Sequence, residues 1–180
     1  DYETAEKEIK RLVKKSENPL HFQVDLGYVY ELMGDEKKAA GQYEDIVKEM
    51  SGSDESVRAT AAAFRRREKY DYAIKAFEEG RKKMRDPYAF LFDLAQLYEG
   101  TKAYGKMFDE YIRMVEINPY EFENVKEALQ EAVMEDEPYD MFKKILLKKI
   151  QAEPDNLAYT DLLSWLFIQR KDFGAAFIQA

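Results

Sequence analysis

Apolar positions along the chain recur with the three-to-four residue spacing of helices that bury one face. The clearest stretch is 25–46, DLGYVYELMGDEKKAAGQYEDI. It predicts a helix with Leu26, Gly27 and Tyr30 on one face, a turn at Gly34-Asp35, and a second helix with Ala39, Tyr43 and Ile46 inward. The same pattern returns 34 residues later, at Thr60, Ala61, Phe64, Ala73 and Phe77, and again at Leu94, Ala95, Tyr98, Met107 and Tyr111. Small residues stay small and aromatics stay aromatic, with Met107 the one exchange of small for large. Stepping back by the same interval lands on Ala5 and Ile9, so the chain opens in the second helix of an earlier unit.

These residue types have a packing reason. A small residue lets two helix backbones approach, and large neighbours fill the space on either side. Gly27 costs a helix about 1 kcal/mol against Ala, so a close approach is its natural explanation. Pro19, Pro87, Pro119, Pro138 and Pro154 all fall at predicted helix boundaries, where a missing N–H does least harm. After residue 121 the pattern weakens. Residues 122–135 predict a first helix with Val125, Ala128, Leu129 and Ala132 inward, and 138–151 a second with Phe142, Ile145, Leu146 and Ile150 apolar. Lys148 or Lys149 falls where earlier units carry Leu12, Ile46 and Met114. The pattern resumes at Leu163, Ser164 and Phe167, a turn at Lys171-Asp172-Phe173, and Ala176.

Leu-Gly-x-x-Tyr, then Gly-Asp, then Ala-x-x-x-Tyr, recurring in register, resembles the tetratricopeptide repeat (TPR), a helix–turn–helix unit of this period. The resemblance covers the whole chain. It implies an all-α fold, an α-α superhelix in which antiparallel helix pairs stack as a right-handed solenoid, with each repeat buried mainly against its neighbours. The expected organisation is one repeat domain over 1–180, with a half-repeat at 1–19, full repeats at 20–53, 54–87, 88–121 and 122–156, and a truncated repeat at 157–180. Beginning and ending inside repeats, the chain reads as a fragment of a longer protein.

Composition narrows the function classes. Net charge is −8 and the pI is near 4.9, so a phosphate backbone is a poor default partner, although related half-TPR repeats occur in RNA processing. There are no cysteines, hence no disulfide or thiolate metal site, and the compartment stays open. No apolar run approaches the roughly 20 residues that cross a bilayer. A soluble protein is expected, cytoplasmic by default, with export left open.

His21, the single histidine, and Asp25 lie four apart, but no third ligand joins them, so no metal is expected. No phosphate loop, zinc motif or nucleophile–His pairing is present, so no cofactor and no catalysis are expected. TPR arrays typically bind extended or helical peptides in a concave groove lined by their first helices. Carried onto this sequence, that implies a groove of Tyr28, Arg58, Arg65, Phe92, Gln96, Glu99, Lys126, Gln130 and Trp165. Tyr28, Phe92 and Trp165 are aromatics the repeat core does not require, and each has the alternative of packing on an adjacent helix. Arg65-Arg66-Arg67 with Arg58 is either a solvated helix end or an anion site.

Some TPR adaptors hold a peptide's terminal carboxylate with a Lys at one groove position. That position here carries Val24, Arg58, Phe92, Lys126 and Asp161, so the clamp is absent and chaperone tails are not the expected ligand. The implied function is a non-catalytic scaffold or adaptor for a peptide or partner protein. The alternatives are self-association through uncapped ends, or service as the helical arm of a larger protein.

Overall fold

Several of the helix starts carry a polar side chain that accepts a backbone N–H left over by the first turn. Asp1 accepts from Glu3, Asp35 from Lys38, Ser53 from Ser56 and Asn156 from Ala158. In the computed structural model, which describes residues 1–179 and side-chain surroundings through 177, these starts open helices joined by short turns. Among the described residues there are eleven α-helices and no strand. The chain divides into two compact units at Phe90/Leu91.

The first unit, residues 1–90, contains α1 (Tyr2–Lys15), α2 (Leu20–Leu32), α3 (Glu36–Glu49), α4 (Asp54–Arg66) and α5 (Tyr70–Met84). Consecutive helices α2/α3 and α4/α5 pack as hairpins, and α2 and α4 begin 34 residues apart, as do α3 and α5. Val24, Val57, Phe64, Ala73 and Ala76 are fully enclosed, and the rings of Tyr43, Phe64 and Tyr72 meet with centroids 4.9 to 5.6 Å apart. The glycine at 27 has a specific cause: a Cβ there would stand 2.2 Å from the Tyr43 ring. The ring facing it, rather than Ala39, is what demands a bare backbone. Gly80 on α5 does the same for Val57, whose methyl carbons lie 2.7 Å from the place of a Cβ.

The unit ends on a buried aromatic. Phe90 has φ +60°, in the left-handed region, and its ring packs 5.0 Å from that of Phe77 with the Arg58 guanidinium 5.0 Å above it. A bulky residue tolerates that backbone only where its surroundings hold it. Here the ring is buried and the Arg81 Nε–H donates to the neighbouring Ala89 carbonyl at 2.6 Å.

The second unit, residues 91–180, contains α6 (Leu91–Gly100), α7 (Tyr104–Ile117), α8 (Phe122–Leu129), α9 (Asp136–Ala152), α10 (Leu157–Gln169) and α11 (Phe173–Gln179). Its core holds Leu94, Phe108, Leu129, Phe142, Leu146, Leu162 and Leu166, with the Phe108 and Phe142 rings stacked at 4.4 Å. Fully burying a side chain of this size stabilises by about 1.5–3 kcal/mol.

The weakened pattern after 121 has a structural counterpart. The helix expected over 122–135 stops at Leu129 and resumes as a 3-10 turn, Ala132–Met134, that buries Ala132 and Val133 together. The next helix starts at Asp136, two residues before Pro138. A proline fits there because the first N–H groups of a helix have no partner within it.

Four of the first helices, α2, α4, α6 and α10, share one ending. The N–H groups of Gly34 and Asp35 donate to the carbonyls of Glu31 and Tyr30, and those of Glu68 and Lys69 to Arg65 and Phe64. Lys102 and Ala103 repeat this on Glu99 and Tyr98, as do Lys171 and Asp172 on Ile168 and Phe167. This is the Schellman ending, and it needs one residue in the left-handed region. Gly34 (φ +77°), Glu68 (+57°), Lys102 (+58°) and Lys171 (+59°) supply it.

Candidate partner-binding surface

Tyr28 on α2 is held by its own unit. The Arg67 guanidinium lies 4.8 Å from the ring centroid and the Lys69 ammonium 5.5 Å. Both cations are fixed in turn: Arg67 Nε donates to Asp25 at 2.8 Å, Arg66 joins the same carboxylate at 3.3 Å, and Lys69 pairs with Glu31. The end of the arginine run is therefore a clamp between α2 and the α4–α5 turn, and Asp25 is its anchor. Arg58 pairs with Asp54 at 2.9 Å and covers Phe90, while Arg65 is exposed on α4. A cavity of about 440 Å³ opens elsewhere on this unit. It is lined by Pro19, Gln23, Met50, Ser53, Glu55 and Thr60 among others, and the three expected surface residues of this unit do not line it.

The second unit carries a different kind of surface. Phe92 on α6 is 45% exposed, and its ring meets Tyr111 edge-on at 6.4 Å. The two rings lie in a cleft of about 610 Å³ with Met114, Glu121, Asn124, Glu127 and Ala128, drawn from α6, α7, the turn after α7, and α8. That volume is in the range of small-ligand and side-chain pockets. Tyr111 is almost wholly enclosed. Burial, reinforced by the negative charge of Glu99, pushes its hydroxyl up to about 12, so it stays a neutral phenol. Glu99 is itself pushed above the ordinary carboxylate range, first by burial and then by Glu131.

The structure thus joins Phe92 to Tyr111, Met114 and Ala128, which the repeat register alone assigns to helix packing. Gln96 is exposed one turn along α6, and Glu99 follows one turn later. Lys126 is drawn to its own helix, 2.6 Å from Glu123 and 4.9 Å above the Phe122 ring, and Gln130 is exposed where α8 ends. Trp165 is half-buried on α10; neither it nor Lys126 or Gln130 lines the cleft. Among the described residues no three metal-ligating side chains come together, and Asp25, the partner considered for His21, serves Arg66 and Arg67 instead. No described helix is long and apolar enough to cross a membrane.

No family model matches the chain, and no curated protein matches it. Among solved structures it is similar to a tetratricopeptide repeat protein from Parabacteroides merdae, at 15% identity over 99% of this chain and 71% of that one, with a TM-score of 0.44. It is similar to MamA at 14% identity over 97% of this chain and 91% of that one, with a TM-score of 0.40. A third likeness is to a monomeric mutant of IFIT1 with Gppp-AAAA, at 13% identity over 95% of this chain and 55% of that one, with a TM-score of 0.35.

Proposed function

We propose that the chain is a non-catalytic protein-interaction scaffold, holding a peptide or partner protein with the cleft of the second unit as its main docking surface. The observation that carries this is the state of Phe92. A large aromatic lies nearly half exposed beside a cleft floored by Tyr111, Met114 and Ala128, while Tyr28, the expected groove aromatic of the first unit, is covered by cations of its own unit. Aromatic side chains in such settings are the usual binding anchors.

The test is affinity capture with the intact chain against a Phe92→Ala variant, followed by titration of any captured protein in purified form. Loss of roughly tenfold or more in affinity is expected, from an anchor contribution of about 1–2 kcal/mol. Unchanged affinity would remove Phe92, and with it the cleft, from the binding surface.

A second reading is self-association. It is favoured by α11, where Phe173 and Phe177, four residues apart on one face, are 64% and 84% exposed. Mass measured across a concentration series would rise with concentration and stay monomeric for Phe173→Ser, Phe177→Ser if this face assembles copies.

A further inference from the structure

The cleft on the second unit combines an apolar floor with a rim of one charge sign. Phe92, Tyr111, Met114 and Ala128 form the floor, and Glu121, Asn124 and Glu127 complete the lining, with no cation among these residues. Glu121 is fixed in place: Asn124 Nδ2 donates to one carboxylate oxygen at 2.9 Å and Asn118 Nδ2 to the other at 3.4 Å. Amide donors orient a carboxylate without cancelling its charge. The cations adjacent in sequence to the lining are drawn to other carboxylates: Lys126 to Glu123 and the Phe122 ring, and Arg113 to Glu110 at 3.9 Å. Along α6 the same sign continues at Glu99, which feels the charge of Glu131. An acidic rim around an apolar floor raises the local concentration of cationic ligands and repels anionic ones.

We propose that this cleft docks a basic, apolar segment of a partner protein: a large aliphatic or aromatic side chain sits on Phe92, Tyr111 and Met114, and a flanking Lys or Arg meets Glu121 and Glu127. This rests on the cleft being the docking surface proposed above. The exposed face of Phe92 offers the cation a second attraction, since a ring face draws Arg or Lys within about 6 Å. Acidic segments and nucleic acid are disfavoured by the same rim.

The experiment is fluorescence anisotropy on the full chain with three labelled synthetic peptides of equal length. One interleaves Leu with Arg, the second replaces each Arg by Glu, and the third replaces each Leu by Ser. The Leu/Arg peptide is expected to bind at least about tenfold tighter than either of the others. Phe92→Ala should weaken it by about tenfold or more. Glu121→Gln with Glu127→Gln should weaken it several-fold and flatten its salt dependence. Because Glu121 helps hold the turn before α8, Glu127→Gln alone is the second variant, and far-UV circular dichroism checks that each variant keeps its helices.

Equal or tighter binding of the Leu/Glu peptide, or no response to either glutamine variant, overturns the basic-segment inference and leaves the docking reading intact. Binding of the Ser/Arg peptide as tightly as Leu/Arg, indifferent to Phe92→Ala, means surface charge alone and overturns the inference too. Failure of every peptide up to about 1 mM, a binding free energy weaker than about 4 kcal/mol, overturns the inference. The docking reading falls separately, if a captured partner binds the Phe92 variant unchanged.

Discussion

Lys149 on α9 donates to Glu116 on α7 at 2.7 Å, and the Tyr159 hydroxyl from α10 donates to the same carboxylate oxygen at 2.6 Å. One carboxylate therefore ties three helices of the second unit. Lys149, one of the two lysines that fall where other units carry Leu12, Ile46 and Met114, thus serves a charge on a neighbouring helix. The Lys149 ammonium also lies 5.1 Å from the Tyr159 ring centroid.

Burial alone would raise the Glu116 carboxyl, but the hydrogen bonds from Lys149 and Tyr159 outweigh it and hold the group below the ordinary value of 4.5. A carboxyl lowered in the folded state contributes stability that is present above its unfolded pKa and is lost as pH falls through the lower, folded one. Glu116→Gln is therefore expected to cost about 1 kcal/mol at neutral pH, discounted for partial exposure, and to make the variant less sensitive to acid below pH 4.5 than the parent. Urea denaturation at neutral and acid pH reads both effects.

Glu99 predicts the opposite sign. Its folded pKa lies above 4.5, first from burial and then from Glu131, so its contribution is fully present below 4.5 and is lost as pH rises through the folded value. Removing the charge with Glu99→Gln should raise stability at neutral pH and leave it nearly unchanged in acid. Thermal melts at two pH values suffice; a loss at neutral pH would mean that the carboxylate is held by favourable contacts.

Gly27→Ala tests the close approach to Tyr43. Helix propensity favours Ala by about 1 kcal/mol, yet the new methyl would have to displace a buried ring 2.2 Å away. Overpacking of this kind typically costs about 1–3 kcal/mol, so the net outcome is destabilisation. Gly41 is the control: it lies within α3 with nothing within 4 Å of a Cβ, and Gly41→Ala should stabilise by about 0.5–1 kcal/mol.

Lys102→Gly and Glu68→Gly should each stabilise the fold by about 1 kcal/mol. Both residues hold φ near +58°, where an L side chain crowds its own backbone and glycine does not. Chemical denaturation of the single variants measures the gain.

Much of the fold was legible because the signals are local. Helix spacing, the Gly34-Asp35 turn and the Lys171-Asp172 turn depend on residues close in sequence, and the structure places helices and turns there. The early end of α8 was missed because Val125, Leu129 and Ala132 fit an uninterrupted helix equally well. What changes there is the backbone after Leu129, which tightens to bury Ala132 and Val133 together.

Sites were harder to read. Repeat register points to Phe92, but Met114, Glu121 and Glu127 come from other elements and carry no signal of their own in the sequence. The covering of Tyr28 is equally remote, since Arg67 and Lys69 follow it by a full repeat and more. Charge complementarity across helices is settled by three-dimensional proximity, and one sequence does not record it.

The left-handed residue that closes first helices has a consequence for how such chains are recognised. Gly34 announces its turn by composition, but Glu68, Lys102 and Lys171 perform the same backbone task under charged side chains. A search by residue type finds one punctuation mark and reads the other three as ordinary surface. Searched by interval, 34, 68 and 102 are successive beats of one rhythm, and Lys171 restores it after the irregular stretch around α8. What is repeated along this molecule is a pair of carbonyls answered by a pair of amides, and the alphabet written over them is free to drift.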